Sequence, residues 1–391
     1  MPASAADPER KDCGGEGCAL DISSLSLLIV AGGRSSRMGK DKRWLELDGV
    51  PMLEWMLRKA ARRPFARRYL CCGAASPELE ELAGRYGAVL VEDEREGCGP
   101  MEGLRCGLRA MPTEYAAAVS CDMPFFVFPV LQPLLSCLPA GGETGPLAVL
   151  PESGGRLQPL AALYHRGMAA AFEEALAAGE RRLRGVIEPL PYHTVPLSRP
   201  ECFFNVNDPA GLRLARGRMA NMRRPVPFLT ISAPVSGTGK TTFIERLIPL
   251  LREEGLHVGV VKGDCHGYDV DTEGKDSWRF RQAGAESVAV VSPHGYFIER
   301  ATPARASLLS VANQLEGTDL VLLESRSHGC APKISLWRGR GGLLADEDTA
   351  AWFTRVPQPD DTVAQYDLDD MEAAKRLTLF LMGREGAGLP L

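Results

Sequence analysis

The chain carries no excess of positive charge: 45 Lys and Arg stand against 50 Asp and Glu, a formal net charge of -5. That removes the electrostatic reason to expect a nucleic-acid partner. Small phosphorylated ligands stay open, because they need only a local nest of donors. No apolar run reaches the roughly 18 to 20 residues that cross a bilayer as a helix, so no membrane partner is expected. The opening MPASAADPERKDCGGEGC lacks an apolar stretch of the secretory kind, and a soluble, cytoplasmic protein is expected. The 11 cysteines are odd in number and scattered, with Cys71 beside Cys72, which argues against a disulfide framework and for a reducing compartment. Cys13 and Cys18 have no second pair nearby, so a tail segment is a simpler reading for them than a metal site.

What is present is the composition of a globular protein, 45% hydrophobic and 24% charged, in a length of 391 residues that calls for more than one core. Residues 1–22 are polar and punctuated by Gly and Pro, and are expected to be disordered. Leu25 to Val30 is a continuous apolar run of the kind that fills a buried strand, followed by a Gly-rich turn and a helical pattern from Met52 to about Arg62. Further strands are read at Tyr69 to Cys72, Ala88 to Val91 and Ala116 to Cys121, with a helix over Phe172 to Ala178. This alternation predicts a parallel sheet between helices. At MRRPVP the pattern breaks and then restarts: strand at Phe228 to Ser232, the loop SGTGKTT, helix at Phe243 to Glu253, and later strands at His257 to Val261 and Leu320 to Glu324. The expected organisation is a tail (1–22), a Rossmann-like domain (23–221), a linker (222–227) and a P-loop domain (228–391), both domains being α/β in three layers.

The first loop reads LIVAGGRSSRMGKDK. Two glycines directly after a buried strand let backbone N–H groups approach a ligand closely. Arg37, a planar fork, and Lys42, a point charge, then reach the same anion. The dinucleotide fingerprint G-x-G-x-x-G is absent, and a triphosphate suits this loop better. Asp122 follows a strand end, where an open α/β sheet keeps its ligands and where one carboxylate suffices for Mg²⁺; capping a turn is the plainer alternative. Asn205 and Asn207 alternate onto one face of an extended segment, each with a donor and an acceptor to offer, while Asn207-Asp208-Pro209 also suits a helix cap.

These residues carry a resemblance. LIVAGGRSSRMGKDKRWLELDGVPMLE, VEDEREGCGPMEGL, SCDMPF, AGERRLRGVIE and FFNVNDPAGL, spread from Leu25 to Leu214, are together similar to the molybdenum cofactor guanylyltransferases (MobA) of the nucleotidyltransferase superfamily. The resemblance implies that Ala31, Gly32, Gly33, Arg37 and Lys42 bind GTP, with Lys42 neutralising charge at the α-phosphoryl group. It also implies that Asp93, Gly99 and Pro100 contact the nucleotide, that Asp122 ligates Mg²⁺, and that Asn205 and Asn207 assist the metal or the pterin phosphate. Arg181 and Arg182 are pterin-phosphate candidates, an exposed charged pair at a helix end being the alternative. Cys71-Cys72-Gly73 stands where the family often has an Asn, so guanine recognition is expected to use backbone near Gly73.

Strand, SGTGKTT and helix form the second loop. Ser236, Gly237, Thr238, Gly239 and Thr242 belong to a backbone cradle for phosphates, Lys240 reaches the β and γ oxygens, and the Thr241 hydroxyl ligates Mg²⁺. Pro234 occupies the first Gly position of the strict motif. From about Phe228 to Gly383 the chain resembles MobB, the GTP-binding partner of the guanylyltransferase, on SGTGKTTFIERLIPLLREEG, VDTEGKDSWRFRQAGA and DLVLLES. Glu324 takes the acidic Walker B place. Of the family's K-H-T-H-H cluster only His266 remains, which points to slow or absent GTP hydrolysis; Asp269 and Asp271 are retained near a switch-like loop. The two resemblances together imply an enzyme that joins GMP from GTP-Mg²⁺ to molybdopterin. Molybdenum-insertion proteins and apo-molybdoenzymes are the implied partners. The alternatives are a cytidylyl- or sugar-phosphate nucleotidyltransferase, or a GTP-binding adaptor that delivers cofactor.

Overall fold

The computed structural model describes residues 21–32, 41–139, 145–263, 272–304, 306–325, 332–343 and 345–389. The chain forms two compact units, one reaching to Ala215 and including Glu385–Gly388, the other containing Arg216–Arg384.

In chain order the first unit contains β1 (Ser26–Val30), β2 (Glu46–Leu47), β3 (Val50–Pro51), α1 (Met52–Ala61), β4 (Arg67–Cys72), α2 (Pro77–Arg85), β5 (Val89–Glu92) and α3 (Pro100–Ala110). It continues with β6 (Tyr115–Ser120), α4 (Gln132–Leu135), β7 (Ala148–Ser153), β8 (Arg156–Leu157), β9 (Ala161–His165), α5 (Met168–Ala177), α6 (Leu183–Ile187), β10 (Tyr192–Pro196) and α7 (Pro209–Met222). The sheet order is β10-β7-β9-β6-β1-β4-β5, with β8 paired to β7.

Every residue of β1 is buried, because the strand is covered on both faces. Its odd-numbered residues, Leu27 and Ile29, pack with Leu53, Met56 and Leu57 of α1 and with Leu79 of α2. Its even-numbered residues, Leu28 and Val30, pack with Met101, Leu104 and Leu108 of α3 and Phe172 of α5. A period of two on a strand buried on both sides yields the unbroken apolar run seen in the sequence. The same alternation sends Cys71 to one face and Cys72 to the other, both as free, buried thiols. Burial pushes the Cys71 thiol up, and raises Cys72 to about 11 against a smaller downward pull from Arg43.

One sequence expectation needs correction here. The sheet is mixed, because β9 runs antiparallel to both β6 and β7. The chain leaves β7 by a two-residue turn at Gly154–Gly155 into β8, and such a short return leaves no room for the helical crossover a parallel neighbour needs. The rest of the central sheet, β5, β4, β1 and β6, is parallel, and the chain reverses its direction of build at β1: first outward through β4 and β5, then back to β6. That reversal opens a crevice at the carboxyl ends of the strands.

The second unit contains β11 (Phe228–Ser232), α8 (Lys240–Glu253), β12 (Val258–Lys262), α9 (Asp276–Gln282), β13 (Ser287–Ser292), β14 (Gly295–Arg300), α10 (Leu308–Ala312), β15 (Leu320–Glu324), β16 (Lys333–Trp337), β17 (Thr349–Thr354), β18 (Ala364–Asp367) and α11 (Met371–Leu381). Six strands in the order β12-β15-β11-β16-β17-β18 form a wholly parallel sheet, and β13 with β14 makes a separate hairpin. The division between the units falls inside α7; residues 223–227, after the helix, are turn and bend leading into β11.

Candidate nucleotide sites

At the carboxyl ends of β1, β4 and β5 lies a cleft of about 370 Å³, lined by Ala31, Gly32, Arg43, Gly73, Ala74, Asp93, Glu96, Gly97 and Gly99. Its walls follow from strand pairing. The Ala31 N–H donates to the Cys71 carbonyl at 2.8 Å, and the Asp93 N–H to the Cys72 carbonyl at 2.8 Å, so the three chain segments leave the sheet side by side. A Cβ on residue 32 would lie 3.3 Å from Asp93 Oδ2, a space that glycine keeps open. Gly99 has φ +68° and ψ -159°, a conformation that belongs to glycine, and it caps α3, whose first residue is Pro100.

Helix α3 presses closely on the sheet. A Cβ at position 107 would lie 2.8 Å from Cys71 Sγ and 3.0 Å from Leu28 Cδ1. Behind the cleft, Arg105 is fully buried. It bonds Glu102 at 2.7 and 2.9 Å and Glu94 at 2.6 Å, and its other terminal nitrogen lies 2.7 Å from Glu173. Burial works to raise the Glu102 carboxyl, but the Arg105 bonds outweigh it and hold Glu102 below the usual carboxylate range. Asp93 lacks such support. Burial, then repulsion from Glu102, lift its carboxyl to about 6 against a weaker pull from Arg105, and its buried Oδ1 has no hydrogen-bond partner. A buried acceptor without a donor is costly and is positioned for an N–H or O–H from outside.

Asp122 follows β6, the strand on the opposite side of β1. Its Oδ2 is ion-paired with Lys42 and its Oδ1 accepts from the Ser120 hydroxyl. Asp41 caps the short turn that carries Lys42, accepting from the Arg43 backbone N–H at 3.0 Å, and pairs with the Arg43 guanidinium. The loop after Asp122 is tied to α1 by Lys59, whose ammonium donates to the carbonyls of Pro124 and Phe126; burial lowers that ammonium to about 8. The Asp122 carboxylate is thus fixed in direction and retains lone pairs, a hard-oxygen donor that fits Mg²⁺ completed by phosphate and water.

Of the residues picked from the sequence, Ala31, Gly32, Gly73, Asp93 and Gly99 share the cleft. Pro100 opens the adjoining helix, and Lys42 with Asp122 forms the ion pair beyond β1. Gly33 and Arg37 lie outside the described residues. The Val206 N–H donates to the Asp122 carbonyl at 2.9 Å, which lays the Asn205–Asn207 segment along the metal candidate's backbone. The Asn205 amide itself donates to the Phe203 carbonyl, Asn207 is exposed, and Asp208 caps α7 through the Gly211 N–H at 2.7 Å. Arg182 and Arg181 do not line the cleft; Arg182 precedes α6, and Arg181 donates to the Leu176 and Glu180 carbonyls. The sequence reading passed over Arg43, Ala74, Glu96 and Gly97. Arg43 had a signal, standing next to Lys42 in the same basic run.

In the second unit, the loop between β11 and α8 has Gly237 at φ +72° and Gly239, the N-cap of α8, at φ +99°. Thr238 is buried and its hydroxyl donates to the Val235 carbonyl at 2.8 Å. Thr241 donates to Glu324, 3.1 Å from each carboxylate oxygen. Glu324 ends β15, which pairs with β11, so the parallel register brings the two together. Ser236, exposed, lies in the loop, while Lys240 and Thr242 occupy the first turn of α8. A hydroxyl and a carboxylate at this spacing fit a hydrated Mg²⁺ bound beside phosphates. His266, Asp269 and Asp271 lie outside the described residues, and among those described no helix is long and apolar enough to cross a membrane.

Comparison with known proteins agrees with both halves. Residues 27–195 match the family described as MobA-like NTP transferase domain, and residues 229–351 match Molybdopterin guanine dinucleotide synthesis protein B. A probable molybdenum cofactor guanylyltransferase of Chloroflexus aggregans is 37% identical over 172 residues, 42% of this chain and 77% of the relative. Molybdopterin-guanine dinucleotide biosynthesis adapter proteins match the other half. That of Haemophilus influenzae is 41% identical over 30% of this chain and 66% of the relative. That of Escherichia coli is 36% identical over 38% of this chain and 88% of the relative.

Proposed function

The chain belongs to the molybdenum cofactor guanylyltransferases through its first unit and to the MobB adapter family through its second, and from that premise we propose that it transfers GMP from GTP to the terminal phosphate of molybdopterin. As a nucleotidyltransferase of molybdenum cofactor biosynthesis, it would use the cleft at β1, β4 and β5 for the nucleoside. Asp93, with an acceptor oxygen unpaired, takes N–H or O–H groups of the nucleoside, and backbone near Gly32 and Gly73 reaches its base and phosphates. Asp122 would hold Mg²⁺, which supplies charge neutralisation on the phosphates. Lys42, already directed at Asp122, stabilises the charge that builds on the α-phosphoryl oxygens. In the reaction a terminal phosphate oxygen of molybdopterin attacks the α-phosphorus, the bond from that phosphorus to the β-phosphate bridge oxygen breaks, and pyrophosphate leaves. Asn205 and Asn207, beside the Asp122 backbone, are proposed to orient the acceptor phosphate, with Arg182 as a more distant phosphate contact.

The second unit is proposed to bind GTP in the loop from Ser236 to Thr242, with Thr241 and Glu324 toward Mg²⁺, and to pass product to apo-molybdoenzymes. The observation that carries the catalytic reading is the Lys42–Asp122 pair at the crevice where the strand order reverses. Purified protein incubated with GTP, Mg²⁺ and molybdopterin is expected to yield molybdopterin guanine dinucleotide and pyrophosphate in equal amounts. A wild-type yield no greater than that of Lys42→Ala would sink the assignment.

A further inference from the structure

A second arginine-bearing loop lies over the phosphate loop of the second unit. β16 pairs with β11, the strand that feeds the phosphate loop, and the chain leaves β16 as Arg338-Gly339-Arg340-Gly341-Gly342. This segment is seated on the phosphate loop from both ends. A Cβ on residue 341 would lie 3.0 Å from Val235 Cγ1 and 3.2 Å from Pro234 Cβ. A Cβ on residue 239 would lie 3.2 Å from Arg338 Nη2 and 3.6 Å from Arg338 Cζ. The Trp337 indole N–H donates to the Gly341 carbonyl at 3.1 Å and closes the turn.

The Arg338 guanidinium therefore rests against the backbone of the residue directly before Lys240, where the donors of such a loop face phosphate. It is exposed and forms no hydrogen bond or ion pair with any described residue. Five N–H donors on a planar cation, held beside a phosphate cradle, match the geometry of phosphoryl oxygens. Position 239 is glycine because of its φ of +99°, and the same bare position leaves room for the Arg338 guanidinium beside it.

We propose that Arg338 is a phosphate ligand supplied in cis to the nucleoside triphosphate of the second unit, adding a guanidinium to the cradle beside Gly239. The inference rests on the reading of this loop as a nucleotide site and adds a residue that the motif does not contain. The experiment is fluorescence titration of the full chain with mant-GTP and mant-GDP, in a Lys42→Ala, Asp93→Asn background that disables the first site. Arg338→Ala is expected to weaken binding roughly tenfold to a hundredfold, the usual cost of losing a charge-assisted bond to phosphate. Arg338→Lys, a point charge without the fork, is expected to recover part of that loss. A larger loss for GTP than for GDP places the guanidinium on the γ-phosphate, and equal losses place it on the β-phosphate. Unchanged affinity for both nucleotides in Arg338→Ala, while Lys240→Ala loses binding, overturns the proposal alone. Binding unaffected by Lys240→Ala overturns the parent reading, and this inference with it. The exposed side chain, held by no hydrogen bond or ion pair to any described residue, predicts no change in melting temperature for Arg338→Ala, which separates a ligand role from a folding one.

Discussion

Replacing Asp93 with Asn should make the protein more stable and a poorer enzyme. The carboxyl is displaced from 3.8 to about 6, first by burial and then by Glu102, so the folded state holds the ionised form at a cost. About two pH units correspond to roughly 3 kcal/mol, and partial exposure to solvent halves that to about 1–1.5 kcal/mol. The sign is set by the raised folded pKa. The cost is fully present above about pH 6 and fades as the pH falls toward 3.8, where both states bind the proton. In nucleotide-free protein at pH 7.5, Asp93→Asn is therefore expected to raise the melting temperature of the first unit by about 2–6 °C. Between pH 6 and 4 the advantage should shrink. The same change removes a charged acceptor from the nucleoside site, so KM for GTP should rise roughly tenfold to a hundredfold. Differential scanning fluorimetry across pH and initial-rate kinetics read the two effects separately. A variant no more stable than wild type at pH 7.5, or one with a pH-independent gain, would refute the account of a desolvated carboxylate opposed by Glu102.

Asp122→Asn and Lys42→Ala should each lower kcat by about 10²–10³-fold, and the double variant should be little worse than either, because the two side chains act as one unit; single-turnover assays of dinucleotide formation test this. Gly107→Ala forces a methyl against Cys71 Sγ and Leu28 and should cost about 1–3 kcal/mol in urea unfolding of the first unit, with Cys71→Ala recovering part of the loss. Arg105→Met strands the buried carboxylate of Glu102 and should destabilise by about 3–5 kcal/mol, whereas Glu102→Leu with Arg105→Met should restore much of it; chemical denaturation decides. Thr241→Ala removes the hydroxyl beside Glu324 and should abolish the Mg²⁺ dependence of mant-GTP binding at the second site while leaving guanylylation near wild type.

The parts of the fold that were legible in the sequence are those where local pattern and tertiary demand coincide. Leu25 to Val30 reads as a strand because both of its faces are covered, and Phe228 to Ser232 followed by SGTGKTT reads as strand and phosphate loop because the backbone needs those glycines locally. The alternation predicted a parallel sheet, and the antiparallel β9 within it was not legible, since strand direction depends on the short return that begins at Gly154–Gly155 and not on the composition of the strand. The hairpin of β13 and β14 escaped notice for a related reason: its residues are apolar on both faces yet largely exposed, so no burial pattern marks a period.

Local pattern alone determined that Asp93 and Asp122 would stand just past apolar strands, and that Lys42, Lys240 and Thr241 would stand in or directly after glycine-bearing loops, because these short spacings leave the chain little freedom. Only the tertiary structure decided which of them meet. Asp122 faces Lys42 across 80 positions of chain, Glu324 receives the Thr241 hydroxyl across 83, and Arg338 settles on Gly239 from a neighbouring strand. Such contacts are set by which strands pair and in what register, and no pattern over a dozen residues carries that information.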